Sequence, residues 1–269
     1  MKIYLDYAAT TPVRQEVLEA TLPFFNEKFG NPGSVNSFGM EALDAVDEAR
    51  ATIAKILNAK INEIIFTGSG TESINLAIKG VARANKNKGK HIITSKIEHP
   101  SVLESCKSLE KEGFEITYLQ PDSEGVISAD KVKAAIRKDT ILVSIMYANN
   151  EIGSINPIAE IGKLCKQNKI LFHTDACQAA GFLDINVSVL NVDLMTINGS
   201  KIYAPKGIAF LYIRTGTKLE PIIHGGNQEF GIRSGTENVP GIIAIAKALQ
   251  LAKAEMLQEN KRLTDLRDK

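Results

Sequence analysis

Lys201 lies in the small-residue turn "NGSKIYAPKG", and four other groups able to do chemistry precede it at comparable places in the chain. "GSGTES" (68–73) offers hydroxyls and backbone N–H groups at the opening of a helical segment, an arrangement that suits a phosphate. "KIEHPSV" (96–102) brings an imidazole, His99, to the start of another helical segment, and "ANNEIG" (148–153) brings the amides of Asn149 and Asn150. "HTDACQ" (173–178) ends an apolar run in Asp175, a carboxylate that is costly to bury there unless something pairs with it. Each has a plainer use when taken singly. Thr71 before Glu72 reads as a helix cap, His99 as a cap or surface residue, the asparagines as turn formers, and Lys201 as one more solvated lysine.

The elements that must position these groups weigh against the plainer uses. Short apolar runs at 63–67, 91–95, 115–119, 140–147, 170–175, 193–197 and 207–213 alternate with helix-period segments at 72–85, 100–113, 129–138 and 157–168. Such alternation predicts an α/β fold whose mostly parallel sheet carries helices on both faces. The run at 207–213 follows 193–197 too closely for a helical crossover, so that pair is expected to be antiparallel. Before the first run, helical patterns at about 14–27 and 37–57 flank the turn "GNPGS"; from Val239 to Lys269 the chain reads as one long amphipathic helix.

In open α/β sheets ligands bind at the carboxyl ends of the strands. Successive strand ends here would deliver a phosphate-sized nest, an imidazole, an amide, a carboxylate and an amine. That inventory matches pyridoxal phosphate, whose aldehyde needs a lysine and whose ring nitrogen needs a carboxylate. The phosphate needs a helix N-terminus, and the ring needs a stacking partner.

Composition narrows the alternatives. With 32 basic and 31 acidic side chains the net charge is +1, which gives no electrostatic case for nucleic acid or an anionic membrane. An apolar share of 44% is enough for a sizeable core, and no stretch is long and apolar enough to be a signal peptide or a membrane span. A cytoplasmic protein is expected. Cys106, Cys165 and Cys177 make neither a disulfide framework nor a metal pattern, and the four histidines lack zinc-type spacing, so no metal site is expected.

The motifs "YLDYAATTP", "GNPGSVNSFG", "FTGSGTESINLAIKG", "EHPSVL", "NNEIGSINPI", "HTDACQAAG", "SKIYAPKG" and "IHGGNQEFGIRSGTENVPG" run through nearly the whole chain. Their order resembles that of the cysteine desulfurases of the nitrogen-fixation and iron–sulfur-assembly type, in the class V aminotransferase group of fold-type I pyridoxal-phosphate enzymes. The resemblance implies the large domain of that fold, with a seven-stranded type of sheet carrying one antiparallel strand. It implies that L-cysteine is converted to L-alanine, with the sulfur held as an enzyme persulfide for iron–sulfur clusters or thiolation. Lys201 would bind the cofactor aldehyde and Asp175 would pair with the ring nitrogen. His99 would stack on the ring and move protons, with Asn150 and Gln178 near the ring hydroxyl. Gly70, Thr71, Asn198 and Ser200 would hold the phosphate, and Thr236 would complete the phosphate site of the second copy in a homodimer. A sulfur-acceptor or scaffold protein would be a further partner.

Three departures stand out. Asn198 and Ser200 replace the serine and histidine that the family usually places before the lysine, which implies a weaker grip on the phosphate. Asn36 replaces a histidine in "NPGSVN". The persulfide cysteine and the carboxylate-binding arginine of the family's small domain have no counterpart up to Lys269. The implied organisation is therefore residues 1–30 on the small-domain side, 31–250 as the cofactor-binding large domain, and 251–269 as the start of a helix leading to a small domain outside this sequence. Two other functions stay open: selenocysteine lysis or cysteine-sulfinate desulfination on the same fold, and a cofactor-binding scaffold subunit without turnover.

Overall fold

A computed structural model describes residues 2–269; Met1, the first residue of the expected N-terminal segment, lies outside the described residues. Seven strands form one sheet: β1 (Ile64–Thr67), β2 (His91–Ser95), β3 (Glu115–Leu119), β4 (Thr140–Ser144), β5 (Leu171–Asp175), β6 (Leu194–Asn198) and β7 (Ala209–Ile213). Their spatial order is β1-β7-β6-β5-β4-β2-β3. All neighbours are parallel except those of β7, which runs antiparallel to both β6 and β1. The short connection from β6 to β7 thus gives the expected antiparallel pair, and the same strand supplies the second antiparallel contact.

Among the described residues ten α-helices surround the sheet. The N-terminal pattern forms α1 (Gln15–Thr21), α2 (Pro23–Asn26) and α3 (Ser37–Leu57). The single helix expected over 14–27 is divided at Leu22, since Pro23 has no N–H to continue the ladder and fits best in a first turn. Next come α4 (Gly70–Asn75) and α5 (Val81–Asn85), joined by a π-helical turn at Leu76–Gly80. The remainder are α6 (Pro100–Glu110), α7 (Ala129–Ala135), α8 (Ile158–Gln167), α9 (Val187–Leu190) and α10 (Val239–Arg267). Asn36 caps α3, its Oδ1 accepting from Gly39 N at 2.9 Å, which gives that departure from the family pattern a local structural role.

The strands read as continuous apolar runs because both faces are covered. Ile64, Phe66, Val143, Phe172, Met195 and Phe210 enter one core with α1, α3, α8 and α10. Their chain neighbours Ile65, Leu142, Leu194 and Leu211 enter the other with the 74–82 segment and α6. Period-two alternation divides each strand between two cores, and each fully buried side chain of this size contributes about 1.5–3 kcal/mol relative to exposure.

The segment after β7 crosses back over the sheet edge, held by two ion pairs. Arg50 of α3 binds Glu229 through both terminal nitrogens, at 2.8 and 2.7 Å, and also donates to the carbonyl of Ile64 at 2.6 Å. Glu229 additionally accepts from Phe66 N at 2.7 Å. Both partners are buried. Arg233 binds Glu72 at 2.7 Å. Asn227, Glu229 and Phe230 all have left-handed backbone conformations, so this loop stores strain that the ion pairs hold in place. Glu229→Ala would strand a buried guanidinium and is expected to cost about 3–5 kcal/mol in a urea unfolding experiment; a loss below about 1 kcal/mol would show the pair to be dispensable.

Candidate active site

The carboxyl ends of β1, β2, β4, β5 and β6 open onto one cavity of about 510 Å³, the placement expected for an open α/β sheet. Gly70 and Thr71 line it where α4 begins. Ser69 caps that helix, its Oγ accepting from Glu72 N at 3.1 Å. Gly70 allows a close approach: a Cβ there would lie 3.3 Å from both Cys177 Sγ and Asn198 Cβ. The start of α4 is thus pressed against the ends of β5 and β6, and a larger residue would push it away.

His99 follows β2 and caps α6. Its Nδ1 accepts from Ser101 N at 3.1 Å and pairs with Ser101 Oγ at 2.7 Å. Accepting at Nδ1 leaves the proton of the neutral ring on Nε2. The capping use and the cavity-lining use foreseen for this residue therefore coexist. After β4, the two asparagines divide the same way. Asn149 is buried and builds the turn, its Oδ1 accepting from Glu151 N and Ile152 N and its Nδ2 donating to Ile97 O at 2.9 Å. Asn150 lines the cavity and donates to Glu151 Oε1 at 2.6 Å.

Asp175 closes β5 and is 6% exposed. Its Oδ1 accepts from Cys177 N at 3.0 Å. Gln178, one turn further, donates from Nε2 to Ala8 O at 2.9 Å. Asn198 closes β6 at the cavity wall, and the tight turn Gly199–Lys201 follows. Gly199 suits this tight place, since a Cβ would lie only 3.0 Å from Ile208 O. Lys201 is half-buried and its Nζ donates to the carbonyls of Ala8 at 2.8 Å and Ala9 at 2.6 Å.

Those carbonyls belong to an N-terminal strap whose role sequence reasoning missed. Thr11 anchors it by donating from N and Oγ1 to Ser200 O, and Tyr203 N donates back to Thr11 Oγ1 at 2.9 Å. The "YLDYAATTP" motif carries no charged ligand-type residue except Asp6, so only its quoted match to the family pattern signalled it. Two expected phosphate residues lie elsewhere. Ser200 is buried and outside the cavity lining, while Thr236 is exposed and borders a separate cavity with Thr67, Gly68 and Arg233. Glu98, buried beside His99, was also missed.

All three cysteines are buried and unpaired. Burial pushes the thiols of Cys106 and Cys165 up to about 12. That of Cys177 is raised well above its ordinary value by burial and by the neighbouring Asp175. Thiolate, not thiol, is the nucleophile, so Cys177 is unsuited to attack despite its place at the cavity. Among the described residues no cluster of His, Cys, Asp and Glu could hold a metal ion. No helix among them is long and apolar enough to cross a membrane.

With this geometry in view, similarity to known proteins is informative. A family profile described as aminotransferase class-V matches residues 3–269. The chain is 60% identical over 267 residues to the cysteine desulfurase IscS of Dictyoglomus turgidum, covering 99% of this chain and 68% of that protein. It is 53% identical over 266 residues to the cysteine desulfurase IscS of Clostridium botulinum, covering 99% and 67%. Among solved structures, a NifS-like protein superposes with a TM-score of 0.97 at 42% identity, covering 100% of this chain and 74% of that one. SspA in complex with cysteine superposes with a TM-score of 0.90 at 45% identity, covering 93% and 72%. The chain spans about two thirds of the length of the curated relatives it matches.

The state of the thiols can be checked directly. In the native chain a thiol-reactive chromophore is expected to react with all three cysteines roughly 100-fold or more slowly than with free cysteine at pH 8, and promptly with all three in denaturant. One thiol reacting natively at the free rate would contradict the burial.

Proposed function

The chain belongs to the aminotransferase class-V family and, within it, to the cysteine desulfurases, and on that premise we propose how its own residues serve pyridoxal phosphate and L-cysteine. The convergence of Lys201, Asp175, His99 and Thr71 on one cavity carries this reading. The residues fit the cofactor by their chemistry: a half-buried amine, a nearly buried carboxylate, a flat imidazole, and a glycine-opened helix start where a Cβ would crowd the wall. When bound, pyridoxal phosphate supplies an aldehyde that condenses with amines and a cationic ring that withdraws electrons.

Lys201 would hold the cofactor and then, released by the substrate amine, move the proton at Cα of L-cysteine. For either task its nitrogen must leave the carbonyls of Ala8 and Ala9. Asp175, with only one hydrogen bond from Cys177 N, has acceptor capacity left to hold a proton at the ring nitrogen. His99, its Nδ1 engaged by Ser101, would present the ring face for stacking and its Nε2–H for proton movement. Asn150 and Gln178 would lie near the ring hydroxyl. Gly70, Thr71 and Asn198 would receive the phosphate, with Ser200 contributing less because it lies outside the lining. Thr236, exposed and away from this cavity, would complete the phosphate site of a second copy in a homodimer.

The sulfur step sets a limit on these residues. None of the described thiols is both exposed and acidic enough to accept sulfur from the substrate. We therefore assign that step to a thiol other than Cys106, Cys165 and Cys177, such as that of a sulfur acceptor. The organisation belongs to the same proposal: a large domain over 31–250, with 1–30 and 251–269 serving a small domain. It is supported by α10, whose buried residues end at Leu249 while Leu257 and Leu266 are exposed. A cytoplasmic location, and delivery of the sulfur to iron–sulfur clusters or thiolation, complete the reading.

Addition of pyridoxal phosphate to the purified chain is expected to produce a visible absorption band that Lys201→Ala abolishes. With an added thiol as acceptor, alanine release from L-cysteine should fall by at least about 100-fold in that variant. A band of equal intensity in Lys201→Ala would refute the assignment of the lysine. A lysine-dependent band with no alanine release would favour a cofactor-binding subunit without turnover.

A further inference from the structure

Glu98 is a charged residue type in a place where charges are almost never found. It lies in the turn from β2 to α6, directly before His99, and is 5% exposed. Its Oε1 accepts from Ser95 Oγ at 2.7 Å and from Met146 N at 3.0 Å. Its Oε2 is buried with no hydrogen-bond partner. No lysine or arginine among the described residues forms an ion pair with it or opposes the effect of burial. The groups facing it are Cys106 of α6, itself an uncharged thiol, and Asp175 at the end of β5, a second acid. His99 adjoins it in the chain, and from the end of β4 come only the uncharged Met146 and Asn149.

An anion in this position would have one oxygen bare in a dry interior, with another carboxylate nearby and no cation. That is far more costly than one unmet hydroxyl. We propose, building on the cofactor reading above, that Glu98 is carried as an uncharged carboxylic acid that positions His99, with Asp175 the acid that would pair with the cofactor's ring nitrogen. Glu98 pins the turn at its base, Oε1 bridging the end of β2 at Ser95 to the first residues beyond β4 at Met146. Asn149 adds a second stitch between the same two segments through Ile97 O. His99 thus emerges from a turn fixed at both ends, with its ring further held by Ser101. Burial, and the charge of Asp175, push the Glu98 carboxyl up to about 8.

The proposal has a pH signature that needs no cofactor. A carboxyl raised in the folded state above its ordinary value of 4.5 contributes stability that is fully present below that value. The contribution is lost as pH rises toward 8. Glu98→Gln keeps the Oε1 acceptor and places an unmet amide where the acid has an unmet hydroxyl, so near pH 5 its melting temperature should match the wild type. Between pH 5 and pH 8 the variant should gain on the wild type by about 3 °C or more. In parallel, the infrared difference spectrum of the two proteins at pH 6.5 should contain the carbonyl stretch of a protonated carboxylic acid. A stability difference constant over this range, or a carboxylate signal alone, overturns the proposal.

The positioning role is read from pyridoxal phosphate affinity. Glu98→Gln should bind within about threefold of wild type, whereas Glu98→Ala, which leaves Met146 N and Ser95 Oγ unmatched, should bind about tenfold or more weakly. Equal losses in both variants would show that the charge is required, against the proposal. If the alanine variant does not fold, the pH and infrared comparison of wild type with Glu98→Gln still decides. A wild type that binds no cofactor refutes the preceding functional reading instead.

Discussion

A sheet covered on both faces leaves polar side chains nowhere to go along its strands, and the rest of this molecule follows from that constraint. The two histidines inside strands are paired through both ring nitrogens. His173 in β5 sits between Ser144 Oγ at 2.9 Å and Thr196 Oγ1 at 3.1 Å, and burial pushes it down to about 3, so it is neutral. His91 in β2 is similarly held between Thr140 and Thr117. Neither has capacity left for a ligand. The polar groups that line the cavity stand where the strands end, so the chemistry gathers at one end of the sheet.

Buried charge is handled in three ways here, and the differences separate structure from function. Arg50 and Glu229 neutralise one another and satisfy two backbone groups besides, which suits a permanent fastening. Glu98 has no cation and is carried as a neutral acid. Asp175 is intermediate: nearly buried, with a single backbone donor and room for another partner. A carboxylate kept in that condition is costly to the apoprotein and useful to a cationic ligand, because the ligand supplies the missing partner.

The parts legible in the sequence were those governed by local pattern. Apolar runs and their spacing located all seven strands, and the short step from 193–197 to 207–213 identified β7 as the antiparallel one. The residues closing those runs, Asp175 and Asn198 among them, led to the cavity because strand direction alone fixes which ends share an edge. The unread parts depended on partners distant in sequence. Arg50 and Glu229 are 179 positions apart, and nothing near either residue signals the other. Nothing in the sequence around Glu98 marks it as buried, since its partner Met146 comes from beyond the end of β4. The strap at Ala8 and Ala9 contributes only backbone carbonyls, which every residue type possesses.

That strap gives the lysine a resting state. The ammonium of Lys201 donates to two carbonyls, and hydrogen bonds from a charged donor are worth about 1.5–3 kcal/mol each. Any reaction at this nitrogen must exchange those bonds for new ones, and Ala8 O would keep only its bond from Gln178. The strap need not come away when this happens. Thr11 remains fastened to Ser200 and Tyr203, on the turn that follows Lys201 itself. The contacts that store the amine are therefore separate from those that hold the segment, and the lysine can change partners while the wall of its cavity stays in place.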